Sequence, residues 1–518
     1  MEFYDTRVER RGGVVLHRTR VRFAHDKLPG AEVTFEIPAR WSHWVDGGPA
    51  VLVPIGLVLA ARLGDDLRVE APLDADLRAA CLAAIDLQCR WFGWRVPDLI
   101  APYAVDRRPR RHPTRGLFFT RGVDSWGTLL ALDAAPAKER ITHLLTIDAD
   151  THLTDEARRQ VLDATRQVVN ELKMPFVAIR TDVRALFDRY TRWDYETHGA
   201  VLAGIGYLLR NGLGGVVVGA TNPWHDAVPW GSHPMLDPLW TTPHLDVRHF
   251  GADEPRWERV ERIVADPRVT STLQVCWKGG AEGNCGVCAK CLLTMSSLHL
   301  SGHHGWEDRF GAPFEPDRIA ETGTSSPLLT NAAIDHCDAA GLEADVIRQH
   351  WERVPRNPES IYVYRNTARQ QRVPVQAPDG GTVDADTRLA LGRLLAPLGL
   401  RVDHLGHELA DQGALVISAG TGPDGGLSLA VGAPGIDLTP VLSADDLVGL
   451  LAAIGCEPDR SVAFDPDGQP PDVAGWKARR LRNAAEAPAT GGAVTEARVD
   501  RTGDPVCRDA RPAEVDAR

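Results

Sequence analysis

No stretch of this sequence is both apolar and long enough to cross a bilayer. The longest uncharged apolar run, Gly47 to Ala61, is too short and carries Pro49 and Pro54. A signal-peptide pattern is also lacking in Met1-Glu2-Phe3-Tyr4-Asp5-Thr6-Arg7. A cytoplasmic location and no membrane partner are therefore expected. Positive charge is not in excess: the net charge is −12. That weighs against a general nucleic-acid coat, which neutralises phosphates with Lys and Arg. It leaves room for a local basic patch. The run Arg107-Arg108-Pro109-Arg110-Arg111 reads either as such a patch or as a solvated linker. No redox partner motif and no catalytic cysteine pair stand outside the one cysteine cluster described below.

What is present is ordinary in bulk. Hydrophobic residues make up 43 % and charged residues 25 % of 518 residues, as in a soluble globular chain of two to four domains. Residues 1–95 open with alternating segments, Gly13-Val14-Val15-Leu16 and Glu32-Val33-Thr34-Phe35-Glu36-Ile37, and are read as a β-rich segment with a helix over Ala75 to Trp91. From about 115 to 270 the pattern becomes strand, helix, strand, helix. Apolar runs at 116–119, 141–147, 176–179 and 215–218 predict buried parallel strands. Amphipathic helices lie between them, one capped by Thr154. This predicts an α/β domain over 96–325, a parallel sheet with helices on both faces. Ligands of such sheets bind beyond the carboxyl ends of the strands. Residues 326–372 read as a helical extension and Pro374 to Gly380 as a linker. A small α+β domain is read over 373–480. Its helices are placed at Ala385–Ala396 and from Ser443 to about Ile454, and its strand at Ala414–Ser418. Residues 481–518 read as a disordered tail.

Two motifs carry chemistry. Thr120-Arg121-Gly122-Val123-Asp124-Ser125 turns from the first of these strands into a helix. Unpaired N–H groups at such a turn make a natural phosphate cradle. Ser125 adds a hydroxyl, and Asp124 could hold Mg2+ or order the loop. Downstream lies Cys276-x8-Cys285-x2-Cys288-x2-Cys291. Cysteines in C-x2-C spacing can reach one tetrahedral ion, and four of them leave no open ligand position, so a structural Zn2+ is expected. An iron–sulfur cluster also uses four thiolates, but no redox partner motif accompanies this one. The other five cysteines, Cys81, Cys89, Cys337, Cys456 and Cys507, are scattered and read as plain thiols.

The loop resembles the pyrophosphatase loop of the N-type ATP pyrophosphatase (PP-loop) superfamily, whose pattern is Ser-Gly-Gly-x-Asp-Ser. Thr120 keeps the hydroxyl of the first position, whereas Arg121 replaces the first glycine. Its side chain either blocks close approach of the backbone to a phosphate or reaches the phosphate itself. The cysteine spacing is similar to the zinc segment of 7-cyano-7-deazaguanine synthases, and the two motifs follow in the same order, over about residues 115–300. The resemblance implies a HUP-like fold, ATP and Mg2+ as well as Zn2+, and adenylation of a carboxylate or carbonyl oxygen with release of pyrophosphate. A nitrogen nucleophile then displaces AMP. It implies that Thr120, Arg121, Gly122, Val123, Asp124 and Ser125 bind nucleotide, with adenine near Ile147-Asp148-Ala149. By position alone, Asn222, Ser232, His233 and Asp237 are placed in the substrate cleft. His233 and Asp237 join Arg121, Asp124 and Ser125 as catalytic candidates, and His198 is a weaker one. The substrate is expected to be a small molecule or a peptide, and a homodimeric state is left open. Two other functions stay open. One is a non-catalytic nucleotide-binding module in a defence or regulatory system. The other is a tRNA-modifying enzyme, against which the acidic balance weighs.

Overall fold

The computed structural model describes residues 1–24, 30–104, 111–149, 154–224, 229–276, 283–322 and 327–355, and beyond them chiefly the turn 377–381 and the strands of a second unit. The chain divides into two compact units, formed mainly by residues 1–370 and 371–471.

In the first unit β1 (Glu2–Arg11), β2 (Val14–Arg22) and β3 (Ala31–Pro38) form an antiparallel meander. Then come α1 (Val53–Leu63), β4 (Leu67–Val69), β5 (Leu73–Asp74), α2 (Ala75–Phe92), β6 (Leu99–Ile100) and β7 (Tyr103–Ala104). The apolar run that was too short for a bilayer lies in part in α1, a helix buried over nearly its whole length. The alternating region follows as β8 (Arg115–Phe118), α3 (Val123–Asp133), β9 (His143–Asp148), α4 (Asp155–Glu171), β10 (Phe176–Thr181), α5 (Val183–Phe187), α6 (His198–Leu208), β11 (Gly215–Gly219) and β12 (Asp246–Phe250). The unit continues with α7 (Arg256–Val264), α8 (Pro267–Thr272), α9 (Ala289–Leu300), α10 (Pro327–Ala340) and α11 (Asp345–Arg353).

Ten strands make one sheet in the order β12-β11-β8-β9-β10-β3-β2-β1-β4-β6. The block from β12 to β10 is parallel throughout. Its strands read Leu-Leu-Thr-Ile, Phe-Val-Ala-Ile or Val-Val-Val, apolar on both faces, as a covered parallel sheet requires. In chain order the block reads 5-4-1-2-3, so the winding direction reverses between β8 and β11. At such a reversal the neighbouring connections leave in opposite directions and open a crevice beyond the strand ends.

β10 pairs antiparallel with β3, Arg180 opposite Glu36, so the N-terminal meander continues the same sheet. The first ninety residues also cover α6. That helix is buried from Gly199 to Leu208, apolar all round, because it lies against the sheet on one side and α1 on the other. Polar ties reinforce the contact. Gln88 Nε2 donates to Glu196 O at 2.9 Å, and buried Arg210 pairs with Asp46 at 3.0 Å and Asp74 at 3.3 Å. Local signals set the helix ends. Asp74 accepts from Leu77 N at 2.7 Å to start α2, and Thr154 accepts from Ala157 N at 3.2 Å to start α4.

A single apolar cluster joins Leu117, Phe119, Trp126, Val168 and Val217 to Ile263, Val275, Cys288, Cys291 and Met295. The cysteine segment is thus part of the core of the sheet domain. A second cluster, around Leu292, Ile319, Cys337, Ile347 and Trp351, packs α10 and α11 on the far side of α9.

The second unit holds β13 (Arg372–Gln376), β14 (Arg401–Asp403), β15 (Ile417–Thr421), β16 (Leu427–Val431) and β17 (Thr439–Pro440), ordered β14-β13-β15-β16-β17. Pro374, expected in a linker, sits inside β13. Val373 and Val375 are buried on one face, and that alternation outweighs the proline. Most of the expected helix Ala385–Ala396, the helix after Ser443, the tail 481–518 and residues 107–110 of the basic run lie outside the described residues. Among the described residues no helix is long and apolar enough to cross a membrane.

Candidate metal centre and the crevice beside it

Asn284 ties the chain at Gly283 back to the residues at Cys276. Its Oδ1 accepts from Val275 N at 2.7 Å and Cys276 N at 3.1 Å, and its Nδ2 donates to Leu273 O at 3.0 Å and Arg309 O at 3.1 Å. Cys285 follows at once. Gly286 then turns at φ +77°, where a Cβ would lie 2.7 Å from Ala312 N, so only glycine fits. Cys288 is the N-cap residue of α9, and Cys291 lies in its first turn. The helix dipole there favours thiolates.

The four Sγ atoms all lie within 4.8 Å of one another, with Cys276 to Cys288 at 3.8 Å and Cys285 to Cys291 at 3.9 Å. A zinc ion with Zn–S bonds of about 2.3 Å needs tetrahedral edges of about 3.8 Å. The donor set and its spacing therefore fit a four-cysteine metal site. Hydrogen bonds from Cys288 and Cys291 hold the Cys276 thiol well below its usual range. In return Cys288 is pushed up to about 11 and Cys291 is raised further. Without a cation, four thiols this close cannot ionise together.

The phosphate-loop candidate lies next to this centre. Gly122 is the N-cap residue of α3, with no side chain capping the helix. Ser125 Oγ donates to Gly122 O at 3.1 Å and accepts from Thr120 N at 3.3 Å, which closes the turn. Arg121 takes φ +63°, a left-handed conformation that costs a residue with a Cβ roughly 1–2 kcal/mol. Its side chain is buried, with Nε donating to Thr165 Oγ1 at 3.2 Å. Burial first, then the charge of Arg309, lowers its pKa to about 10, so it stays cationic at neutral pH. The side chain thus reaches α4, while the Cα supplies the left-handed turn that a glycine would supply.

Asp124 faces the crevice between β8 and β11. Its Oδ1 accepts from Arg256 Nη1 at 2.7 Å and Arg259 Nη1 at 2.9 Å, and its Oδ2 accepts from Thr221 Oγ1 at 3.3 Å. Arg259, 2 % exposed, also donates to Ala220 O, Gly251 O and Glu254 O. Gly127 makes room for it, since a Cβ there would meet the Arg259 side chain at 2.5 Å. Lys290, in the first turn of α9, is lowered by burial and by Arg256, with Asp124 and Asp194 acting in the opposite direction. Arg256, Arg259 and Lys290 thus gather at the N-terminus of α3 around Asp124, with Glu254 also 3.5 Å from Arg259 Nε.

The segment after β11 forms the other wall. Asp237 is 1 % exposed. Its Oδ2 accepts from Ser232 Oγ at 2.6 Å and meets His249 Nδ1 at 2.8 Å, and its Oδ1 accepts from His233 N at 3.3 Å. His249 lies at the end of β12, opposite Val218 of β11. His198, at the start of α6, is lowered by burial, with Asp237 and Asp194 opposing. The structure therefore brings Ser232, Asp237 and His198 near one another. His233 instead packs between Trp91 and Trp224 at ring distances of 4.7 Å and 6.4 Å, with Nδ1 accepting from Met235 N at 3.0 Å. Asp148, at the end of β9, pairs with Arg158 at 3.6 Å and Arg180 at 3.8 Å, and Asn222 lies in the turn after β11. Sequence reasoning passed over His249, Arg256 and Arg259. The only sequence signal for the arginines is their i, i+3 spacing on a strongly amphipathic helix, which ordinarily marks a solvated face.

Comparison with known proteins adds no family: no family model matches the chain, and no curated protein and no solved structure matches it.

Proposed function

We propose that the chain is an ATP-dependent, AMP-forming ligase built on a HUP-like, 7-cyano-7-deazaguanine synthase-like domain and acting on a small molecule or a peptide. One observation supports this reading above the others. The uncapped turn 119–122 stands at the winding reversal of a parallel sheet, and a four-cysteine centre packs against it. In this reading the triphosphate of ATP lies over 120–125, close to Arg256, Arg259 and Lys290. A substrate carboxylate attacks the α-phosphorus, and pyrophosphate leaves with the electron pair of the broken P–O bond. A nitrogen nucleophile then adds to the activated carbon and gives up a proton, and the C–O bond to AMP breaks. The Asp237–His249 pair accepts that proton. Zinc takes no part in these steps. A magnesium ion at Asp124 would sit beside two guanidiniums, so in this reading the phosphates carry the ion.

ATP–pyrophosphate exchange tests the proposal, run over a panel of carboxylic acids and peptides with ATP binding measured by calorimetry on the same sample. Acid-dependent exchange is the expected result. ATP binding with no exchange for any acid would leave the second reading, a non-catalytic nucleotide-binding module. That reading draws support from Asp124, whose carboxylate is already engaged by two arginines. Absence of ATP binding sinks both.

A further inference from the structure

The metal centre and the phosphate-loop candidate are joined by a short chain of hydrogen bonds. Gln274 N donates to Arg121 O at 3.0 Å, across the backbone of the left-handed residue. Gln274 is held in turn: its Nε2 donates to Gly283 O at 3.3 Å, and its neighbours Leu273, Val275 and Cys276 are all bonded to the Asn284 side chain. Asn284 lies next to Cys285, and its backbone N donates to Arg309 O at 3.0 Å while Gly311 N donates to its O at 2.7 Å. Both ends of this knot, Cys276 and Cys285, are metal-ligand candidates.

We infer that metal in the four-cysteine centre holds Arg121 in its left-handed conformation, so that the shape of the 120–125 loop depends on metal occupancy. An arginine adopts positive φ only where its surroundings impose it. The backbone contact here is the bond from Gln274, beside the side-chain bond from Arg121 Nε to Thr165 Oγ1, and in this inference the metal keeps Gln274 in register by drawing Cys276 and Cys285 together. With the metal gone, the four thiols lose their common partner and the knot at Asn284 loosens. Arg121 then returns to negative φ, and the turn that Ser125 closes opens. A glycine at position 121 would hold positive φ without help, so the arginine is what makes the loop sensitive to the metal. The inference concerns the loop that the ligase reading assigns to ATP. Its test uses no nucleotide, so either can fail without the other.

Residue-resolved hydrogen exchange on the full chain, as zinc form and after chelation, provides the test. The probes are the amides of Thr120, whose acceptor Ser125 Oγ closes the turn, and Trp126, whose acceptor is the N-cap carbonyl of Gly122 where the turn enters α3. The amides of β2 and β3 serve as the control for global unfolding. Removing zinc from the wild-type chain is expected to speed exchange at Thr120 and Trp126 at least tenfold, with β2 and β3 unchanged and the effect reversed by zinc. In Arg121→Gly the same step should change exchange less than threefold. The inference is overturned by a chain that takes up no zinc, by loop amides indifferent to its removal, or by acceleration spread evenly to β2 and β3. An Arg121→Gly chain that loosens as much as the wild type overturns it too.

Discussion

The cysteine centre and the loop beside it hold charge in opposite ways. In the centre, four thiol donors converge at the spacing a metal ion takes. In the loop, Asp124 already faces Arg256 and Arg259, and Arg121 is turned away into α4. The first site is a set of donors spaced to fit a metal ion. The second is already paired, with two guanidiniums on Asp124 and Glu254 also on Arg259, so an incoming anion competes with these carboxylates for the arginines. Opposite charges this close and this sheltered attract strongly, and part of that attraction would have to be given up on binding.

Removal of the metal is the sharpest way to break this comparison. Cys288→Ser or Cys291→Ser should abolish stoichiometric zinc, about one ion per chain, and destabilise the first unit by about 4 kcal/mol or more, because both residues lie in its main core. Zinc analysis and denaturant midpoints read this out. Full stability without zinc would reduce the centre to four buried thiols.

Arg259→Ala probes the paired side. It leaves Asp124 with one arginine fewer and takes the donor from three carbonyls, at a cost of about 3–4 kcal/mol. Chemical denaturation checks the value. A loss under about 1 kcal/mol would mean that water replaces the guanidinium and that the crevice is wetter than its burial indicates.

A smaller effect should come from pH. His336 stacks on Trp257 of α7, the helix that carries both arginines, at a ring distance of 5.0 Å. Burial lowers its pKa to about 4, against an ordinary value of 6.5. The folded state thus binds fewer protons than the unfolded chain between those values. The stability contributed by neutral His336 is complete above about pH 6.5. It falls as pH drops towards 4, by up to about 3 kcal/mol. His336→Phe should flatten that part of the stability–pH curve. An unchanged curve would show that the folded state accepts the charged imidazole, through water or through Glu261, 3.6 Å from its Nε2.

Legibility followed sequence distance. β9, β10, β11, α2 and α4 could be read because their apolar runs, periodicity and caps lie within a few residues. The cysteine centre could be read because its ligands span sixteen residues and the C-x2-C spacing prescribes the geometry. The turn from Thr120 into α3 could be read for the same reason. The partner of Asp124 could not, since Arg256 and Arg259 come from a helix more than 130 residues later. Position alone points to Asp237, yet the imidazole that meets it is His249 on β12, whereas the sequence neighbour His233 packs between tryptophans. Pro374 misled for a related reason: a proline argues locally for a break, but burial of Val373 and Val375 is a tertiary gain.

The sequence by itself thus determined the α/β alternation and the four thiols able to meet at one point, because periodicity and short spacings act through local backbone geometry. Only the tertiary structure decided that the N-terminal strands extend the same sheet, that Asp124 is held by two arginines, and that Gln274 grips Arg121. Those outcomes rest on which strand edges pair and which helix ends converge at the winding reversal, and long-range packing settles that.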